Sequence, residues 1–68
     1  MSVYKIIELV GTSEKSWEDA ASAAMSTAGK HLKDIRIAEV CKLDIHIDEK
    51  GQQLYRTRLS VSFKYHDE

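Results

Sequence analysis

Asp44, His46 and Asp48 occupy alternating positions, separated by Ile45 and Ile47. On an extended chain this alternation puts three polar groups along one face. Carboxylates suit a hard cation such as calcium, and an imidazole beside them tilts the set toward a transition metal. The plainer reading is a solvated polar strand face, and spacing alone favours it. His66, Asp67 and Glu68 end the chain with similar chemistry. Nucleophilic chemistry finds less support. Cys41 stands in an apolar row, where a lone cysteine is expected to behave as a buried small hydrophobe. His46 has no serine or cysteine at an informative spacing, so no triad can be argued. Gly11-Thr12-Ser13 precedes a helix but lacks the glycine pattern and lysine of a phosphate loop, and helix capping accounts for it. Arg36, Arg56 and Arg58 with Tyr55 suggest single-stranded nucleic acid. The net charge of −1 opposes that, and ion pairs between subunits, with Glu39 or Asp44, are the expected use of these arginines.

The elements that carry these residues read as strand, helix, strand, strand. Val3 to Val10 is rich in Val, Ile and Tyr, and its apolar residues fall on both alternating faces, as expected for a strand covered on both sides. Gly11 then permits a backbone conformation that larger residues resist. Ser13 or Ser16 is placed to cap the next helix, and Ser16-x-x-Asp19 approximates a capping box. Glu14, Glu18 and Asp19 suit the positive end of its dipole, and Lys30, His31 and Lys33 the negative end. Trp17, Ala20, Ala21, Ala24, Met25, Ala28 and Leu32 form one helical face, so the helix is expected from residue 14 or 16 to about 30. Its alanines allow close approach to a sheet.

Two long strands follow. Ile35, Ile37, Cys41, Leu43, Ile45 and Ile47 share one parity, interrupted by Glu39. A carboxylate in an apolar row needs a partner, and a neighbouring subunit's arginine would serve. In the last strand Tyr55, Thr57, Leu59, Val61, Phe63 and Tyr65 alternate with polar residues. Residues 48–52 supply turn chemistry, so the two strands form an antiparallel hairpin.

Sixty-eight residues make one domain, 1–68, with 43% hydrophobic content and a single cysteine. This excludes a disulfide scaffold and argues against disorder. No apolar run reaches the roughly 20 residues of a membrane helix. The N-terminus lacks a basic start followed by an apolar stretch and a cleavage site, so a cytoplasmic protein without membrane or nucleic-acid partners is expected. A chain this short buries only about 60% of the surface its unfolded form exposes. Strands of about 14 residues span on the order of 45 Å, while a helix of about 17 residues covers about 25 Å. The overhang calls for more copies of the same chain.

Val3-Tyr4-Lys5-Ile6-Ile7-Glu8-Leu9-Val10-Gly11-Thr12-Ser13, Ser16-Trp17, Ala38-Glu39-Val40, Tyr55-Arg56-Thr57 and Val61-Ser62-Phe63 resemble the dodecins over nearly the whole chain. The resemblance implies an α+β fold of β-α-β-β order, with a three-stranded antiparallel sheet packed on one helix. It also implies a hollow homododecamer that stores or buffers flavin, FMN or riboflavin, and is not an enzyme. In flavin-binding members a tryptophan before Ala-Glu-Val stacks on the isoalloxazine ring; the matching residue here is Ile37. A glutamine after the tyrosine of the last strand anchors the ring's polar edge, and Arg56 stands there, a donor that cannot accept. An aliphatic residue offers only a rounded contact to a flat ring, and Trp17 belongs to the helix face. Some dodecin-like proteins without the tryptophan are regarded as cation binders.

Three expectations follow. The first is a flavin-binding dodecin with a modified pocket lined by Ile37, Arg56 and Asp44. The second is a shell without flavin that binds calcium or another divalent cation through Asp44, His46 and Asp48, or binds another small-molecule ligand. The third is a structural oligomer with no small ligand.

Overall fold

A computed structural model of the chain describes residues 1–65. The elements are β1 (Tyr4–Ser13), α1 (Trp17–Gly29), β2 (Ile35–Ile47) and β3 (Gln53–Lys64). The sheet is antiparallel throughout, in the order β1-β3-β2, so the last strand is the central one. The α+β class and the β-α-β-β order stand as expected. The terminal group His66, Asp67 and Glu68 lies outside the described residues. Among those residues, no helix is long and apolar enough to cross a membrane.

Both serines proposed as caps are used. Ser16 is the N-cap, its Oγ accepting from the Asp19 amide at 3.0 Å. Asp19 does not complete the box on Ser16; its carboxylate accepts from the Ser13 hydroxyl at 2.7 Å. The Ser13 oxygen in turn accepts from the Lys15 amide at 2.9 Å. Strand end and helix start are thus joined by one hydrogen-bonded unit, which meets one otherwise orphaned helix donor, the Asp19 amide. At the hairpin, the Asp48 carboxylate accepts from the amides of Lys50 and Gln52, at 2.9 and 2.8 Å, and Gly51 takes φ 81°. That φ suits glycine.

Gly11 has a different role from the one its position suggests. It lies inside β1, which runs on to Ser13, and its φ is not positive. A Cβ there would collide with the Ala20 carbonyl oxygen and lie 3.0 Å from Ala24 Cβ. The glycine therefore lets the helix backbone approach the strand. Ala20, Ala24 and Ala28 are the buried helix residues, and Ala24 packs with Leu59 and Val61 of β3. Ile7, Leu9, Ala21, Met25 and Ile35 surround them. Thr57, 1% exposed, donates its hydroxyl to the Trp17 carbonyl at 2.8 Å, which satisfies a polar side chain deep in the core.

The uniform parity expected of β2 does not hold. The register slips between Ile35 and Ile37 and again between Val40 and Lys42. Each slip is a bulge that shifts the pleat by one residue. Residues directly opposite share a face. Val61 and Leu59 point to the helix, so their partners Ala38 and Val40 share that side. Ile37 and Glu39, opposite Ser62 and Ser60, turn to the face away from the helix. After the second bulge Leu43 and Ile45 return to the helix side. Glu39 therefore does not interrupt the helix-side row. Cys41 sits at the second bulge and is exposed, its thiol 3.5 Å from the Glu39 carbonyl, rather than buried as its row implied.

One chain does not cover its own sheet. The helix of 13 residues spans about 20 Å, whereas the molecule extends 49 Å along its long axis. Val40, Leu43 and Ile45 on the helix side of β2 are 52%, 49% and 42% exposed. On the other face Ile6, Val10 and Ile37 are also exposed, so β1 is covered on one side only.

Candidate functional site

The sheet face turned away from the helix carries most of the residues singled out by chemistry. Register sets them in rows across the three strands. Ile6, Ser62 and Ile37 form an apolar-edged row; Glu8, Ser60 and Glu39 form an acidic one. Val10, Arg58 and Lys42 form a basic row, and Thr12, Arg56 and Asp44 the next. His46 lies beyond, opposite Leu54.

Asp44 and Arg56 are directly opposite and joined by a fork. Arg56 Nε donates to Asp44 Oδ1 at 2.7 Å and Nη2 to Oδ2 at 2.8 Å. This planar two-bond geometry is the strong form of the carboxylate–guanidinium pair. The arginine's hydrogen bonds hold the Asp44 carboxyl below its ordinary value; its charge and those of Arg58 and Lys42 act the same way, against a partial desolvation. Asp44 likewise raises the Arg56 guanidinium. The pair forms within one chain, not between subunits as the sequence suggested. Trp17 fixes the same residue from the other side, its indole N–H donating to the Asp44 carbonyl at 3.0 Å. The indole also meets Tyr55 edge-on, with centroids 5.1 Å apart. Trp17 is thus a packing and positioning residue, as its helical spacing implied.

The proposed metal ligands are not gathered into one site within a chain. Asp44 is committed to Arg56, and Asp48 lies beyond the end of β2 with its carboxylate turned into the hairpin. His46 is exposed on the strand between them. Among the described residues, no group of three or more His, Cys, Asp and Glu side chains is placed to hold a metal ion. Ile37 stands 65% exposed, two rows from the Lys42–Arg58 pair and three from the Asp44–Arg56 pair. Alternation already sets Lys42 with Asp44 and Ser60 with Arg58, but it does not bring Glu8 and Glu39 to them: Glu8 joins through the unbroken β1–β3 register, and Glu39 turns to this face only because β2 is bulged.

On the helix side, a groove of about 460 Å³ runs between β1 and α1, lined by Ile7, Leu9, Ala24, Ala28, His31 and Leu32 among others. A smaller one of about 250 Å³ lies between α1 and β2, touching Trp17, Val40 and Leu43. Both are predominantly apolar.

A family model, Dodecin, matches residues 3–66. The chain is 48% identical over 64 residues to a protein of Mycobacterium tuberculosis named calcium dodecin, covering 94% of this chain and 90% of that one. It is similar in structure to a calcium-chelating antigen of that organism, also named calcium dodecin, whose structure is described as having a calcium-binding site. There the TM-score is 0.87 and the identity 46%, covering 96% of this chain and 93% of the other. It also superposes on an arginine-to-alanine variant of the Thermus thermophilus dodecin with a TM-score of 0.89 and 38% identity, each chain covered in full.

Proposed function

This chain belongs to the dodecin family, and from that premise we propose that it is a non-catalytic, homododecameric binding shell for divalent cations of the calcium class. The observation that carries this reading is Ile37. It stands exposed on the outer face where the dodecin pattern has a ring-stacking tryptophan, so a flavin sandwich lacks its flat polarisable partner. The 48% identity to a protein named calcium dodecin supports the same direction. A hard cation needs six to eight oxygens, more than one exposed strand supplies. The acidic row of Glu8, Ser60 and Glu39 offers carboxylates and a hydroxyl on one face. Copies meeting at a symmetry axis would multiply them. His46 and Asp48 add oxygen and nitrogen donors toward the hairpin end, while Asp44 contributes only by leaving Arg56. The uncovered helix side of β2 and the two apolar grooves support assembly from many copies.

Titration calorimetry of the chelator-treated protein with calcium tests the proposal. Saturable heat that falls in a Glu8→Gln, Glu39→Gln double variant is expected. A flat titration sinks the cation reading.

A second reading, flavin bound on a modified pocket, draws on the apolar pair Ile6 and Ile37 flanking Ser62. They offer one side of a ring an apolar surface, with Arg56 as a donor further along the face. Quenching of flavin fluorescence on adding the protein separates the two. Weak or absent quenching is expected for the native chain, and stronger quenching for Ile37→Trp. Micromolar quenching by the native chain would instead favour the flavin reading.

A further inference from the structure

The basic row of the outer face has no counterpart in a cation-binding role. Lys42 of β2 lies directly opposite Arg58 of β3, and like charges so placed repel. Arg56, one pair further along, is already satisfied by Asp44. Neither Lys42 nor Arg58 is in an ion pair among the described residues. Three cations thus surround one carboxylate, in a chain whose net charge is −1. They converge on a depression of about 30 Å³ lined by Val10, Lys42, Asp44, Arg56 and Arg58. A depression of this size admits about one or two water-sized groups, enough for a phosphate oxygen with the rest of its group directed outward.

We propose that the Lys42–Arg58 row, with Arg56 at its edge, binds a dianionic phosphate group. A phosphate presents several oxygens to the planar Arg58 fork and to the Lys42 ammonium, which accounts for keeping two cations opposed. Val10 closes one wall and leaves the oxygen no competing donor there. The neighbouring carboxylates Glu8 and Glu39, one row away, repel an approaching anion and limit the affinity. The site is separate from the acidic row invoked for calcium and does not depend on it.

The experiment is calorimetry on the assembled, calcium-free protein with two probes, inorganic phosphate and phenyl phosphate. Saturable binding of both is expected, weakened by added salt. Equal affinity points to free phosphate as the ligand, and tighter phenyl phosphate to an ester whose remainder also makes contact. Lys42→Gln and Arg58→Gln are each expected to weaken binding about tenfold, in line with loss of one charge-assisted contact. Lys42→Arg should retain it. Glu39→Gln leaves both cations in place and is expected to tighten binding, which keeps the test decisive if the neutralised variants fail to assemble. No saturable heat with either probe overturns the site. So does binding indifferent to Lys42→Gln and Arg58→Gln, or a Glu39→Gln variant that binds no better than the native chain.

Discussion

Asp44 is the residue on which several constraints meet: a fork from Arg56 on its carboxylate and an indole on its carbonyl. Both side chains of the pair remain about two-fifths exposed, 41% for Arg56 and 42% for Asp44, so solvent screens it and its contribution to stability is small. Its pH dependence nevertheless has a definite sign. The folded carboxyl is depressed below the ordinary value of 3.8, so the stabilisation is present above that value and is lost as pH falls through the folded pKa. At a fixed protein concentration, the urea midpoint of the native chain should exceed that of Asp44→Asn at neutral pH. The gap should close as pH drops below about 4. A gap unchanged down to pH 3 contradicts this. Asp44 and Arg56 were both legible as site residues, but their pairing was not. They are 12 positions apart, and whether they oppose one another depends on the hairpin register. Expecting Asp44 to pair between subunits was the natural error of reading charges without that register.

At the scale of elements, the strand-to-helix junction and the helix face were legible because each depends on local chemistry. Capping serines and a period of alanines need no distant information. The phase of β2 did need it. Its bulges fall at residues with no glycine or proline to mark them, so simple alternation was carried straight through. A trace remained in the sequence: between 37 and 40 the order is Ile-Ala-Glu-Val, with apolar Ala38 and Val40 in the polar parity and Glu39 in the apolar one. That local inversion is what the two bulges produce. The requirement at Gly11 is equally non-local, since it arises from the helix backbone pressing on the strand. Gly11→Ala is therefore expected to destabilise by about 1–3 kcal/mol, the range for overpacking a close-packed contact. Chemical denaturation measures it, and a neutral result would mean that the helix can move away at little cost.

For the whole molecule, the exposed apolar side of β2 and the 49 Å length against a 13-residue helix leave a surface that one chain cannot cover. Light scattering should report a mass about twelve times that of one chain, following the family's architecture. Leu43→Asp, which puts a charge on the uncovered row, should shift the population toward smaller species. A monomeric native protein would remove the basis for the shell. The chain also contains a single tryptophan, and its indole N–H is spent on the backbone of the residue that Arg56 grips. Its emission is therefore an unlabelled optical gauge of the hairpin's outer face. A ligand that pulls Asp44 from Arg56 should change the colour or brightness of that signal, while one that settles on the acidic row alone should leave it dark to the event.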